Sequence, residues 1–143
     1  MVAITREKTP TIQLATVVLR TIVVLLTLAT AQIHASLGGL MFMANAVGYS
    51  VLALAMVVPG PVARYRWLVR LALIGFAAVT IAGWVAFGAR FDLAYLDKGI
   101  EVALIGILLV EQWRSDGGPA GVYRLVRRLV SGIATGTFAR HAR

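Results

Sequence analysis

Glu101 is the residue whose surroundings ask most of its chemistry. Val102 to Val110 is an uncharged apolar run that separates it from Glu111. Asp97 and Lys98 precede it by four and three residues, so on a helix all three share one face. A carboxyl in apolar surroundings loses its charge unless it finds a partner. A Glu that alternates between protonated and ion-paired is what a proton- or ion-coupled membrane site requires. Gln32 and His34 end a separate apolar stretch, and Asn45 and Tyr49, four residues apart, line one face of the next. Glu101, Asp97, His34, Asn45, Tyr49 and Gln32 therefore form the candidate intramembrane polar site. The same residue types also serve as hydrogen-bonding glue between membrane helices, and both readings stand.

Other chemistries find no residues to carry them. There is no cysteine, which excludes disulfides, thiolate metal sites, c-type haem attachment and iron–sulfur clusters on this chain. The second histidine, His141, lies in the C-terminal tail, so a pair of bundle histidines for haem is missing. No phosphate-cradling glycine loop, metal-spaced His/Asp/Glu set or nucleophile triad occurs. Met41 and Met43 lie near His34, but two residues apart they point to different sides of a helix. They read as packing rather than copper ligands. No catalytic residue, metal or cofactor is expected.

The elements that must position these groups follow from composition. Of 143 residues, 59% are hydrophobic and 14% charged, against roughly 25% charged in soluble domains, and the mean hydropathy is +0.84. From Thr21 to Val58 there is no charged residue. As one helix this run would far exceed the roughly 30 Å hydrocarbon layer, so it must cross twice. The expected class is all-α: a polytopic membrane protein with a four-transmembrane-helix bundle over residues 1–116. Its spans fall at about 12–34, 40–58, 71–89 and 93–113. Pro10 opens the first, Gly38-Gly39 turns the chain, Pro59-Gly60-Pro61 stops the second, and Gly117-Gly118-Pro119 follows the fourth. Ala78, Ala82 and Ala86 make a small-residue stripe suited to close helix approach, within the bundle or between protomers.

Orientation follows from the 14 basic residues. All but Arg90 and Lys98 lie in the N-terminal stretch, the second loop or the C-terminal region, which places both termini in the cytoplasm. Arg20 reads as snorkelling to the inner interface, and Glu111 as lying at that interface, where it snorkels or pairs with Arg114. All but two of these basic residues are arginine, as in high-GC bacterial proteins, so a bacterial cell membrane is the expected location. An alternative takes Arg6, Lys8 and Arg20 with Ala29-Thr30-Ala31 as a cleaved signal peptide.

Residues 117–143 differ in kind. Val122, Leu125, Val126, Leu129, Val130 and Ile133 fall on one helical face, with Arg124, Arg127 and Arg128 off it. This is a cytoplasmic amphipathic helix at the lipid interface, its arginines contacting anionic headgroups, followed by a basic tail from Ser131. The net charge of +8 is thereby directed to the membrane rather than to nucleic acid.

The segments His34-Ala35-Ser36, Leu40-Met41-Phe42-Met43-Ala44-Asn45-Ala46-Val47-Gly48-Tyr49 and Tyr95-Leu96-Asp97-Lys98-Gly99-Ile100-Glu101 resemble small uncharacterised four-span membrane proteins of high-GC bacteria. The resemblance implies the topology and no activity. Three functions are compatible with the residues. The first is a non-catalytic accessory, assembly or structural component of a membrane complex, working with a protein partner or as a homo-oligomer. The second is a small oligomeric transporter or channel using Glu101. The third is a redox protein whose His34 and Tyr49 hold a quinone-like lipid.

Overall fold

The computed structural model describes residues 10–134, and every regular element in them is helical. In chain order these are α1 (Pro10–Leu37), α2 (Leu40–Val57), a 3₁₀ segment (Gly60–Tyr65), α3 (Arg66–Phe87), α4 (Asp92–Asp116) and α5 (Gly118–Ala134). The chain divides into two compact units, one up to Glu111 and one from Gln112. Arg6, Lys8 and the tail beyond Ala134 lie outside the described residues. Ala29-Thr30-Ala31 falls within the continuous helix α1.

In the first unit most of the buried positions recur at spacings of three and four. They include Val23, Thr27, Thr30 and His34 on α1, and Ala46, Tyr49, Ala53 and Met56 on α2. On α3 they are Trp67, Arg70, Leu73 and Ala77, and on α4 they include Ala94, Asp97, Glu101, Leu104, Leu108 and Glu111. Such spacing is that of a seam between packed helices. Val23, Tyr49, Met56, Leu73, Ala77, Leu104 and Leu108 form the apolar centre.

The outward faces invert what a soluble bundle shows. Leu25, Leu54, Val79 and Leu109 are more than half exposed, while Thr27, Thr30, His34, Asp97 and Glu101 are almost wholly buried. Among the described residues three helical segments are long and apolar enough to cross a membrane: Leu14–Leu37, Leu40–Val57 and Ala63–Phe87. Helix α4 has the length, at 25 residues, but carries Asp97, Lys98 and Glu101 in its first half.

The α1–α2 turn falls at Gly38 and Gly39, whose φ angles of 68° and 81° favour glycine. The third helix differs from the expected 71–89. It begins at Arg66 and ends at Phe87, because two arginines that the sequence places in a loop have partners inside the bundle. Arg66 donates from Nε to the Met56 carbonyl (3.1 Å) and from Nη2 to that of Val58 (3.2 Å), answering carbonyls left open at the end of α2. Arg70 is buried. At the other end of α3 the Arg90 guanidinium lies 4.1 Å from the Trp84 ring centre, and Trp84 Nε1 donates to the Ala89 carbonyl.

Gly48 on α2 is the close-approach point to α3. A Cβ there would stand 2.6 Å from the tip of the Phe76 ring. Gly48→Ala is therefore expected to cost about 1–3 kcal/mol through overpacking, read as a lower melting temperature in detergent. An unchanged melting temperature would show that Phe76 yields freely.

In the second unit, α5 follows positive-φ glycines at 117 and 118. Val122, Leu125 and Leu129 are half-buried, whereas Val126, Val130 and Ile133 are exposed, as are Arg124, Arg127 and Arg128.

Candidate functional site

The first half of α4 places Asp97, Lys98 and Glu101 on its buried side. The Lys98 ammonium bridges the two acids, donating to Glu101 Oε2 at 2.7 Å and lying 2.9 Å from Asp97 Oδ2. Glu101 is fully buried, and its Oε1 accepts from the Tyr49 hydroxyl of α2 (2.7 Å) and the Thr80 hydroxyl of α3 (2.8 Å). Asp97 Oδ1 accepts from the Thr30 hydroxyl of α1. All four helices of the first unit thus contribute to one hydrogen-bonded cluster.

His34 completes it. Its Nδ1 lies 2.9 Å from the Thr30 carbonyl and 3.7 Å from Asp97 Oδ1. A carbonyl only accepts, so Nδ1 carries a proton and Nε2 decides the charge of the ring. The ring packs against those of Tyr49 and Phe42, at 5.6 and 6.1 Å between centres, and Phe76 meets Tyr49 edge-on at 4.8 Å. With a neutral imidazole the cluster holds two carboxylates and one ammonium, a net charge of −1. One proton, or one further monovalent cation, brings it to zero. A buried net charge is expensive unless compensated.

One ligand-type atom each from His34, Asp97 and Glu101 lies within 4.8 Å of the others. These are metal-ligand types, brought together from α1 and α4 in a way that sequence spacing does not reveal. The position a cation would take between the carboxylates is held by Lys98.

Four of the six expected residues therefore meet: Glu101, Asp97, His34 and Tyr49. The other two do not. Gln32 is exposed on α1, and Asn45 is half-buried on α2 without a bond to the cluster, because neither occupies its helix's buried seam. Sequence reasoning missed Thr30 and Thr80, and left Lys98 out of the candidate site. The available signal was spacing: Thr30 lies one turn before His34, on the same face.

A second polar layer lies about 15 Å along α4, ten residues beyond Glu101. Glu111 does not pair with Arg114 at an interface. It is 1% exposed and accepts from Arg70 Nη1 at 3.2 Å, because the α4 seam turns it inward. Arg66 lies within electrostatic reach of Arg20, Arg70 and Glu111. Arg20 Nε and Glu111 Oε2 are both buried without a hydrogen-bond partner among the described residues.

Comparison with known proteins finds no matching family model, no matching curated protein and no matching solved structure.

Proposed function

We propose that this is a small integral membrane protein of four spans with cytoplasmic termini, acting as a non-catalytic accessory, assembly or structural component of a membrane complex. The observation that carries the proposal is the destination of the polar groups. The buried hydroxyls, carboxylates and ammonium of the outer cluster bond to one another across four helices, with the His34 imidazole held on the Thr30 carbonyl, which suits a rigid framework. The outward surface supports the same reading. Ala78, Ala82 and Ala86 are exposed on α3, and a Cβ added at Gly75 or Gly83 of that helix would meet nothing within 4 Å. A face this small lets a partner helix approach closely, from another chain or a second copy.

The test is purification of tagged protein from its own membranes in mild detergent, read by mass spectrometry and an absorption spectrum. Stoichiometric partner chains are expected. A homo-oligomer with no other chain would turn the proposal toward its alternative.

That alternative, a proton- or ion-coupled transporter or channel, is favoured by one observation: the cluster is one positive charge short of neutral when His34 is neutral. Glu101 would then alternate between pairing with Lys98 and carrying a proton. Proton flux in liposomes should fall at least tenfold in Glu101→Gln, and flux that survives the substitution unchanged would remove this mechanism.

A further inference from the structure

We propose that the arginine cluster at the Glu111 end of the bundle binds the phosphate of an anionic phospholipid, with Arg20 and Arg66 as the direct contacts. The proposal rests on the membrane location given above. Arg20 comes from α1, Arg66 and Arg70 from α3, and Arg66 lies within electrostatic range of both other arginines and of the carboxylate of Glu111. Three guanidiniums against one carboxylate leave an excess of positive charge, which an anion beside the half-buried Arg20 and Arg66 would balance.

The donors are arranged for one. Arg70 is directed inward by its bond to Glu111. Arg66 is fixed by its two bonds to carbonyls at the end of α2, which orients its remaining N–H groups without using them. Arg20 is half-buried as a whole, and its buried Nε has no acceptor among the described residues, so no bond inside the bundle claims its guanidinium. Guanidiniums suit this ligand because their planar forks match phosphate oxygens in pairs.

The surroundings point to a phosphate that carries acyl chains. Arg20 is flanked along its own helix by Val17, which is 57% exposed, and by Val24, half-buried. Leu14 and Val18 continue this exposed apolar surface. A headgroup seated on Arg20 and Arg66 would lay its chains along these residues. Basic pockets between spans on the cytoplasmic side recognise headgroups on this principle.

The experiment is native mass spectrometry of protein released from micelles containing equal phosphatidylglycerol and phosphatidylcholine. One phosphatidylglycerol per chain should be retained by the wild type, and at least tenfold less by Arg20→Gln/Arg66→Gln. The triple variant Arg124→Gln/Arg127→Gln/Arg128→Gln should retain it fully, which separates this site from the general attraction of α5 to anionic lipid. If the double variant does not fold, Arg20→Gln alone decides, since that side chain makes no described hydrogen bond. Equal retention by wild type and variant overturns the proposal. Displacement of the lipid by millimolar inorganic phosphate would assign the site to a free anion and overturn the lipid reading. Carbonate extraction of wild-type membranes separates the premises: release into the soluble fraction would sink the membrane location itself.

Discussion

Lys98→Met should lose most of its folded protein, and Lys98→Met/Glu101→Gln should recover a large part of it. Lys98 is 9% exposed and holds two buried carboxylates at once. Removing it leaves Asp97 and Glu101 on adjacent turns with no cation. Breaking a buried pair by deleting one partner costs about 3–5 kcal/mol, because the remaining charge has no compensation. Here two charges remain, and they repel. Unfolding within a membrane keeps helices formed and offers polar groups other partners, which pulls the cost toward the lower end. Neutralising Glu101 in the double variant removes the repulsion and one uncompensated charge. The amide oxygen that Glu101→Gln introduces can still accept from the hydroxyls of Tyr49 and Thr80. The yield of monodisperse protein and its melting temperature in detergent would check both variants. A single variant as stable as wild type would mean that the ammonium is not seated between the acids. A double variant no better than the single would mean that Lys98 acts by packing alone.

The same contacts explain what was legible beforehand. The helical class, the glycine turn at Gly38-Gly39 and the stop at Pro59 follow from local chemistry, and α1 and α2 match the expected spans closely. Asp97, Lys98 and Glu101 share a face by spacing alone. His34, Asn45, Tyr49 and Gln32 could be grouped with them as the polar residues of the first two apolar stretches, although only His34 and Tyr49 reach the cluster. Partners across the bundle were not legible. Thr30 and Thr80 are ordinary span residues in sequence, and only the three-four seam of buried positions shows them facing inward. For the same reason α3 begins at Arg66, ahead of the span expected at 71–89. Arg66 and Arg70 look like loop charges until the Met56 carbonyl and Glu111 are found beside them. Charge in a membrane chain is thus a statement about direction as much as about position.

That distinction bears most on α4, and the expected result there is all-or-none. The chain has no cysteine, so single cysteines report accessibility without background. Ser36→Cys and Ala89→Cys should react with a membrane-impermeant maleimide on intact cells. Arg64→Cys and Ser115→Cys should react only after the membrane is opened. If α4 does not cross, Ser115→Cys will instead label with Ala89→Cys, from the same side. A count of charges argues against crossing, since Asp97, Lys98 and Glu101 fall within one window of the helix. Each would cost about 2.5–3.5 kcal/mol at the centre of a lipid-facing helix. None of them faces outward. The exposed residues of α4 between Tyr95 and Trp113 are Leu96, Gly99, Val102, Ala103, Gly106, Leu109 and Val110, all uncharged. Tyr95 and Trp113 are themselves exposed and lie about 27 Å apart along the helix, close to the hydrocarbon thickness that aromatic residues bracket at both interfaces. The three charges meet partners from α1, α2 and α3, so a crossing by α4 would depend on the other helices being in place. The Lys98→Met variant should therefore show mixed labelling at Ser115→Cys, whereas Ser36→Cys and Arg64→Cys, which flank the uncharged helix α2, should keep their sides.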